Sequence, residues 1–430
     1  MWRKTILLVA CYWFANLAHG ALVIEITKGT EEALPIAVVP FGWQEGGAPY
    51  DLAQVVSNDL ETSGRFAPMA REDMLERPTT GSQIVFSDWR LLNTDVVVVG
   101  RVLPNGNNFT IEFQVFDVLR GEQLLGYRMP STRSAMRASA HRIADMIFEK
   151  LTGIPGAFST RIAYVTVEKS GDATSHSLVV ADADGENQNV IAESSQPIMS
   201  PAWSPDGRKL AYVSFEERQA EIYVQTLRTG NRQRTSGRAG VNGAPAWSPD
   251  GQFLALTLST EDGNLDIYTL DLRSQVLKRL TTSPSIDTEP EWSTDGEDIY
   301  FTSDRSGGPQ VYVVPADGGK RPKRLTFEGS YNARPRLSPD AGLIAVVHND
   351  RGNYRIAVVD TKNSTTQVLT QGQLDESPSF APNGNTVIYA TREQGVGVLA
   401  TVSVDGKVHR RLASQAGDVR EPVWSPYPRN

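Results

Sequence analysis

Cysteine and histidine are scarce in this chain. Among 430 residues there is one cysteine, Cys11, and five histidines. A single thiol forms no intramolecular disulfide, so packing must hold the fold, which a chain of this length can manage. His141, His176, His348 and His409 stand far apart in unlike contexts, and none sits in a zinc-ligand spacing. Each reads as a surface or packing histidine. No Gly-x-Ser-x-Gly elbow is present, and no phosphate-binding glycine loop follows a strand. The missing elbow excludes a two-domain peptidase of the usual propeller kind. The net charge is −8 and there is no long lysine/arginine run, which argues against nucleic acid as a partner.

Long apolar runs are also missing, except at the start. Arg3 and Lys4 precede an almost wholly apolar stretch at residues 5–18, and Ala18-His-Gly20 supplies a small-x-small cleavage site. This reads as a secretory signal peptide, residues 1–20, cut before Ala21. Leu8-Val-Ala-Cys11 offers a lipoprotein-box alternative, but the apolar run continues past it through Tyr12, Trp13 and Phe14. Cleavage after Gly20 removes the only cysteine and takes the net charge from −8 to −10 by loss of Arg3 and Lys4. The mature chain then has no segment long enough for a membrane span and no polybasic handle for lipid, so no direct membrane insertion is expected after cleavage. Its expected home is a periplasm or an extracellular space.

What the chain does contain is a phrase repeated six times. It reads Pro201-Ala-Trp-Ser-Pro-Asp-Gly207, then Pro245-Ala-Trp-Ser-Pro-Asp-Gly251, then Pro290-Glu-Trp-Ser-Thr-Asp-Gly296. Weaker copies begin at Pro335, Pro378 and Pro422, and the starting prolines lie 44, 45, 45, 43 and 44 residues apart. A period of this size with four strand-like segments per unit is the mark of a β-propeller. Ser-Pro-Asp-Gly joins the first strand (A) to the second (B). Proline suits the second position of a type I turn, aspartate the third, and glycine the left-handed position after it. The tryptophan is expected to pack between neighbouring blades. The sixth motif has no strand B after it, whereas 162–166 looks like a strand B with no motif before it. The two ends are therefore expected to complete one blade together, giving six, and to close the ring over residues 156–430.

Residues 21–155 carry no repeat and read as a small α/β domain. A buried strand is expected at 36–41, a helix at 52–60 capped by Asp51, and a doubly covered strand at 95–102. A hairpin follows over 109–118 and 124–129, and a closing helix over 134–151. The expected fold class is thus a two-domain chain: a small α/β N-terminal domain, then an all-β six-bladed propeller.

In up-and-down blades the A–B and C–D turns share one face, and the longer, more variable D–A loops share the other. Variable loops at a channel mouth are the better binding candidates. Asp287, Glu289, Asp375, Glu376, Asp418 and Glu421 fall in them, as an acidic docking rim or, in an alternative reading, a metal-dependent catalytic or small-ligand site. Asp182-Ala-Asp184-Gly185 looks like an ordinary hairpin turn rather than a calcium loop, since the later ligand positions are missing.

Taken together, several segments resemble the TolB family, the periplasmic components of the Tol–Pal cell-envelope system. They are the N-terminal signal, Pro35-Ile-Ala-Val-Val-Pro-Phe41, the junction Phe148-Glu-Lys-Leu-Thr-Gly-Ile154, Gln196 through Gly207, Thr302-Ser-Asp304 with Pro309-Gln-Val-Tyr312, and Trp424-Ser-Pro426. The resemblance covers essentially the whole mature chain. It implies a non-enzymatic adaptor with no cofactor and no metal. It implies docking of the lipoprotein Pal at the propeller channel mouth, through Met199, Ser200, Asn242, Gly243, Ala244, Thr288, Glu289, Glu376 and Ser377. It implies contact with TolA through the segment after the signal, Leu22, Val23, Ile24, Glu25, Ile26 and Thr27. Other outer-membrane proteins are possible further partners, and the implied role is outer-membrane integrity and constriction during division.

Overall fold

The computed structural model describes residues 33–43, 50–412 and 417–428. The signal segment and Leu22 through Thr27 lie outside the described residues. Among those described, no helix is long and apolar enough to cross a membrane.

The first domain is built on one sheet. Its strands are β1 (Leu34–Val38), β2 (Gly42–Trp43), β3 (Phe66–Pro68), β4 (Val96–Asn105), β5 (Asn108–Asp117) and β6 (Glu122–Ser131). The order is β3-β1-β4-β5-β6, with β2 beside β4. β1 runs parallel to β3 and β4, and β4-β5-β6 form an antiparallel meander. Helices α1 (Leu52–Thr62) and α3 (Met136–Thr152) cover one face, where Leu60, Ile143 and Ile147 bury against Ile36, Val98 and Phe113. The other face is covered by residues 69–92, which carry α2 (Phe86–Leu91) and bring Trp89 onto Val97, Val99 and Phe116. Burial on both faces explains the valine run of β4.

Asp51 caps α1 by accepting from Gln54 N at 3.1 Å, and α3 stops at Gly153 in the left-handed conformation, φ 75°. The closing helix starts two residues later than its apolar pattern suggests. Thr132 caps a 3₁₀ turn at Arg133–Ala135 first, accepting from Ala135 N. α2 has no precedent in the sequence reading, because six residues are too few to show a helical period.

The second domain is six four-stranded antiparallel sheets. Blades 1 to 5 begin with the A strands Ile198–Trp203, Asn242–Trp247, Asp287–Trp292, Asn332–Leu337 and Glu376–Phe380. Blade 6 takes strand A from Asp418–Trp424 and strands B, C and D from Arg161–Ser170, Ala173–Asp182 and Asn189–Ser194. Two of the motif tryptophans tie blades together, while Trp424 Nε1 donates to Thr160 Oγ1 at the junction. Trp247 Nε1 donates to Ala202 O of blade 1 at 3.2 Å, and Trp203 Nε1 to Val423 O of blade 6 at 3.1 Å.

The A–B turn has one chemistry in blades 1 to 4, where Ser204, Ser248, Ser293 and Ser338 each donate to the aspartate two residues on. In blade 1, Gly207 N donates to Ser204 O at 2.8 Å, and Ser204 Oγ donates to Asp206 Oδ1 at 2.6 Å while accepting from Lys209 N at 2.9 Å. The position after aspartate is left-handed, with φ 66° at Gly207 and 71° at Gly251. Blade 4 puts Ala341 there, at φ 57°, so its Cβ meets the steric penalty that glycine avoids. Ala341→Gly should therefore raise stability by about 1 kcal/mol, read as a higher urea midpoint at unchanged slope.

Candidate docking site

The proline that opens each repeat lies inside strand A, not at its start. Proline cannot donate to the ladder, and the A–B register breaks around it in every blade, for example between Met199 and Ala202 or Thr288 and Glu291. The residue just before it forms the bulge. These residues are Ser200, Ala244, Glu289, Arg334, Ser377 and Glu421, with φ between 45° and 56°. Left-handed backbone is unusual for any non-glycine residue and more so before proline. One such residue costs roughly 1–3 kcal/mol, so a strain repeated around a ring needs a surrounding structure that enforces it. A bulge also re-aims its side chain.

Here the bulges aim side chains at the central channel. Arg334 of blade 4 reaches three other blades. Its Nε lies 3.4 Å from Glu289 of blade 3, its Nη1 donates to Ser377 Oγ of blade 5 at 2.5 Å, and its Nη2 lies 3.4 Å from Glu421 of blade 6. Blade 6 is not a neighbour of blade 4, so the contact with Glu421 runs across the channel. The two glutamates also hold the bulged backbone. Glu289 Oε2 accepts from Arg334 N at 2.9 Å, and Glu421 Oε2 accepts from Ser200 N at 2.5 Å. A second tier lies two residues along the same strands, where Arg336 sits 3.4 Å from Glu291. Burial alone would lower the Arg334 pKa, but Glu421 and Glu289 outweigh it and raise it, so the guanidinium stays charged. Glu289, Glu376 and Glu421 against one Arg334 leave this mouth net acidic.

Of the nine positions read from the sequence for this mouth, Ser200, Ala244, Glu289 and Ser377 are bulge residues and come together in the ring. Met199, Gly243, Thr288 and Glu376 lie beside them on the A strands, with Thr288 Oγ1 3.4 Å from Thr257 Oγ1. The ring members Arg334 and Glu421 were absent from that set. Asn242 is turned inward. It is 1 % exposed, accepts from Ser236 Oγ and Arg238 N at 2.6 and 3.1 Å, and donates to Arg238 O at 2.7 Å. It ties down the D–A loop and offers a partner nothing. The same place in other blades is held by Asp287 (on Arg305, 2.8 Å), Asn332 (donating to Glu328 O, 2.8 Å) and Asp375 (accepting from the Thr370 and Thr391 hydroxyls, both 2.5 Å). Asp287 and Asp375, counted from the sequence among the acids of the mouth, are thus buried and fully engaged, and are not placed to hold a cation or move a proton. The signal for this was readable: the third residue before the repeat proline is Asn or Asp in blades 2 to 5 and apolar, Ile198 and Val419, in blades 1 and 6.

A second cluster lies where the domains meet. Asp59, His141 and Asp184 could offer three ligand atoms within 4.8 Å of one another. Arg137 already bonds Asp184 and the neighbouring Asp182, and His141 bonds Asp59, so the protein's own groups engage these carboxylates. His141, read as a surface or packing residue, is in fact a buried polar one at 2 % exposure.

Comparison with known proteins agrees with this architecture. Residues 22–124 match the model described as the TolB amino-terminal domain, and residues 148–428 the TolB beta propeller domain. The Tol-Pal system protein TolB of Xanthomonas campestris pv. campestris (strain B100) is 50 % identical over 428 residues, covering 98 % of this chain and 97 % of that protein. The protein of the same description from Thioalkalivibrio sulfidiphilus (strain HL-EbGR7) is 50 % identical over 414 residues, covering 95 % of each. The crystal structure of TolB from Acinetobacter baumannii superposes with a TM-score of 0.85 at 42 % identity, over 92 % of this chain and 97 % of that one.

Proposed function

Because the chain belongs to the TolB family of the Tol-Pal system, a cell-envelope family, we propose that it is a non-enzymatic periplasmic adaptor. Its propeller docks the lipoprotein Pal at the channel mouth that carries the bulge ring. Its N-terminal segment, Leu22 through Thr27, engages TolA, adding as a strand to that partner's sheet edge. Together these contacts support outer-membrane integrity and constriction at division. The ring of six left-handed bulge residues carries the reading. Strain of this kind persists at sites of recognition, and a preformed mouth binds without a large ordering cost. Two of the six acids that could have served catalysis, Asp287 and Asp375, are engaged inside the blades.

Calorimetric titration of residues 21–430 with the soluble domain of Pal from the same source tests this. Saturable one-to-one binding is expected. Thr288→Arg, which thrusts a long side chain into the mouth, should weaken it by at least about 30-fold, the scale of an interface hot spot. Absence of binding at tens of micromolar would overturn the Pal reading. A chelator-sensitive melting temperature would favour the metal-dependent alternative, because a bound ion stabilises the native state.

A further inference from the structure

The two domains meet through charge. Among the described residues no apolar cluster spans both: one pair of clusters belongs to the α/β domain and its junction, and the rest to the blades. In the gap, α3 presents Arg137 and His141, α1 presents Asp59, and blade 6 presents Asp182, at the end of its strand C, and Asp184 in the turn that follows. Arg137 Nε donates to Asp182 Oδ2 at 2.8 Å, its Nη2 donates to Asp184, and its Nη1 donates to Tyr50 Oη at 2.5 Å. His141 Nδ1 sits 2.7 Å from Asp59 Oδ2. His141 Nε2 is buried and without a hydrogen-bond partner, and its closest acid is Asp182 Oδ2 at 3.7 Å. Asp145, one turn along α3, is engaged by Phe158 N and Ser159 N of the junction at 2.7 and 3.1 Å. Elsewhere across the interface Asn383 donates to Pro155 O at 3.1 Å, and Gly64 packs on Val408.

The charges facing His141 are therefore Asp59, Asp145, Asp182, Asp184 and Arg137. Arg161 of blade 6, opposite Asp182 in the ladder, also acts on Asp182, so three cations stand among four carboxylates when the imidazole is charged, and two when it is neutral. At 3.7 Å, Nε2 is too far from Asp182 for a good hydrogen bond. What it contributes across the interface is charge, and losing the proton removes most of that contribution. We propose that this cluster is a proton-held latch: imidazolium at His141, with Arg137, fixes the α/β domain against blade 6, and loss of that charge lets the domains reorient while each stays folded. Separate cores make this possible, since polar interfaces between domains leave relative motion as the default. The titration of the group agrees. Burial disfavours the charged imidazole, but Asp182 and Asp59 outweigh it and push His141 up to about 10. Burial opposes the charge on Asp182 as well, yet His141 and Arg137 hold it below the usual carboxylate range.

Paired spin labels at Ser87→Cys, in the α/β domain, and Ser274→Cys, on blade 2, report the angle between domains in the mature chain. The expected result is one narrow distance distribution at pH 7.5. It should broaden and shift in His141→Gln, and in the unsubstituted latch above pH 10. Asp184→Asn, from the partly exposed propeller side, should do the same if the buried His141→Gln fails to fold. A distribution unchanged in a folded variant and unchanged from pH 7.5 to 10.5 overturns the latch. Titration with Pal on the same proteins keeps the readings apart: failure of the parent to bind Pal removes the docking proposal and leaves the latch intact.

Discussion

Arg305→Met should lower the unfolding free energy by about 3–5 kcal/mol, the cost of leaving one member of a buried ion pair without its partner. Asp287 is wholly buried, and Arg305 Nη2 donates to both of its carboxylate oxygens at 2.8 Å. Arg305 also lies over the rings of Phe301 and Tyr312, 5.3 and 4.9 Å from their centroids, so packing is lost along with charge. The protein itself suggests the rescue. Blades 2 and 4 hold Asn242 and Asn332 at this place with no ion pair, so Asp287→Asn with Arg305→Met should recover much of the loss. Urea unfolding of the single and double variants measures both. A single variant within 1 kcal/mol of the parent would show that Asp287 is not an uncompensated charge, on the scale expected for such a loss. Because Asp287 begins the strand that carries Thr288 and Glu289, the single variant should also weaken docking at the mouth.

Raising the pH from about 6.5 towards 10 should lower stability progressively through His141 and the acids coupled to it. The folded pKa of His141, about 10, lies above its unfolded value of 6.5, so the native state binds more proton across that window. Stability from this group is complete below 6.5 and is lost as the pH rises through 10. Asp59 acts in the same sense lower down. Burial pushes it up to about 6 from 3.8, so its contribution is largest below 3.8 and is lost as the pH rises through 6. A calorimetric melting series from pH 6 to 10.5 measures the slope, and His141→Gln should flatten it. A parent protein as steep as the variant would remove His141 from the account.

The ring of blades was legible because its signals are local. Ser-Pro-Asp-Gly builds its own turn from neighbouring residues, and its spacing counts the blades without reference to anything distant. α3 was legible for a similar reason, since Met136, Ala140, Ile143 and Ile147 mark one face by themselves. The mouth was only half legible. Ser200, Ala244, Glu289 and Ser377 were within reach as loop residues, but the bulge that aims them depends on proline interrupting a ladder already formed. Arg334 was missed because it differs from its counterparts in the other repeats, and its partners Glu289 and Glu421 lie 45 and 87 residues away in sequence. Asp182 and His141 were read as a turn residue and a packing residue. Their meeting depends on how two domains stack, which neither periodicity nor turn chemistry encodes.

Blade 6 bears on how this chain reaches its native state. Its inner strand is hydrogen-bonded to a partner about 250 residues upstream, for instance Ser425 Oγ accepting from Arg161 N across a separation of 264 residues. Closing a loop of that length costs about 5 kcal/mol of chain entropy before any contact repays it, and such non-local pairing slows folding. The other five blades can form from contiguous segments. The sixth waits, with the edge of Arg161–Ser170 bare, until Asp418–Trp424 arrives. During that interval the open edge invites pairing with other chains. The closing strand is therefore expected to be the slow step of assembly, with the nascent protein most prone to stick just before its final strand zips home.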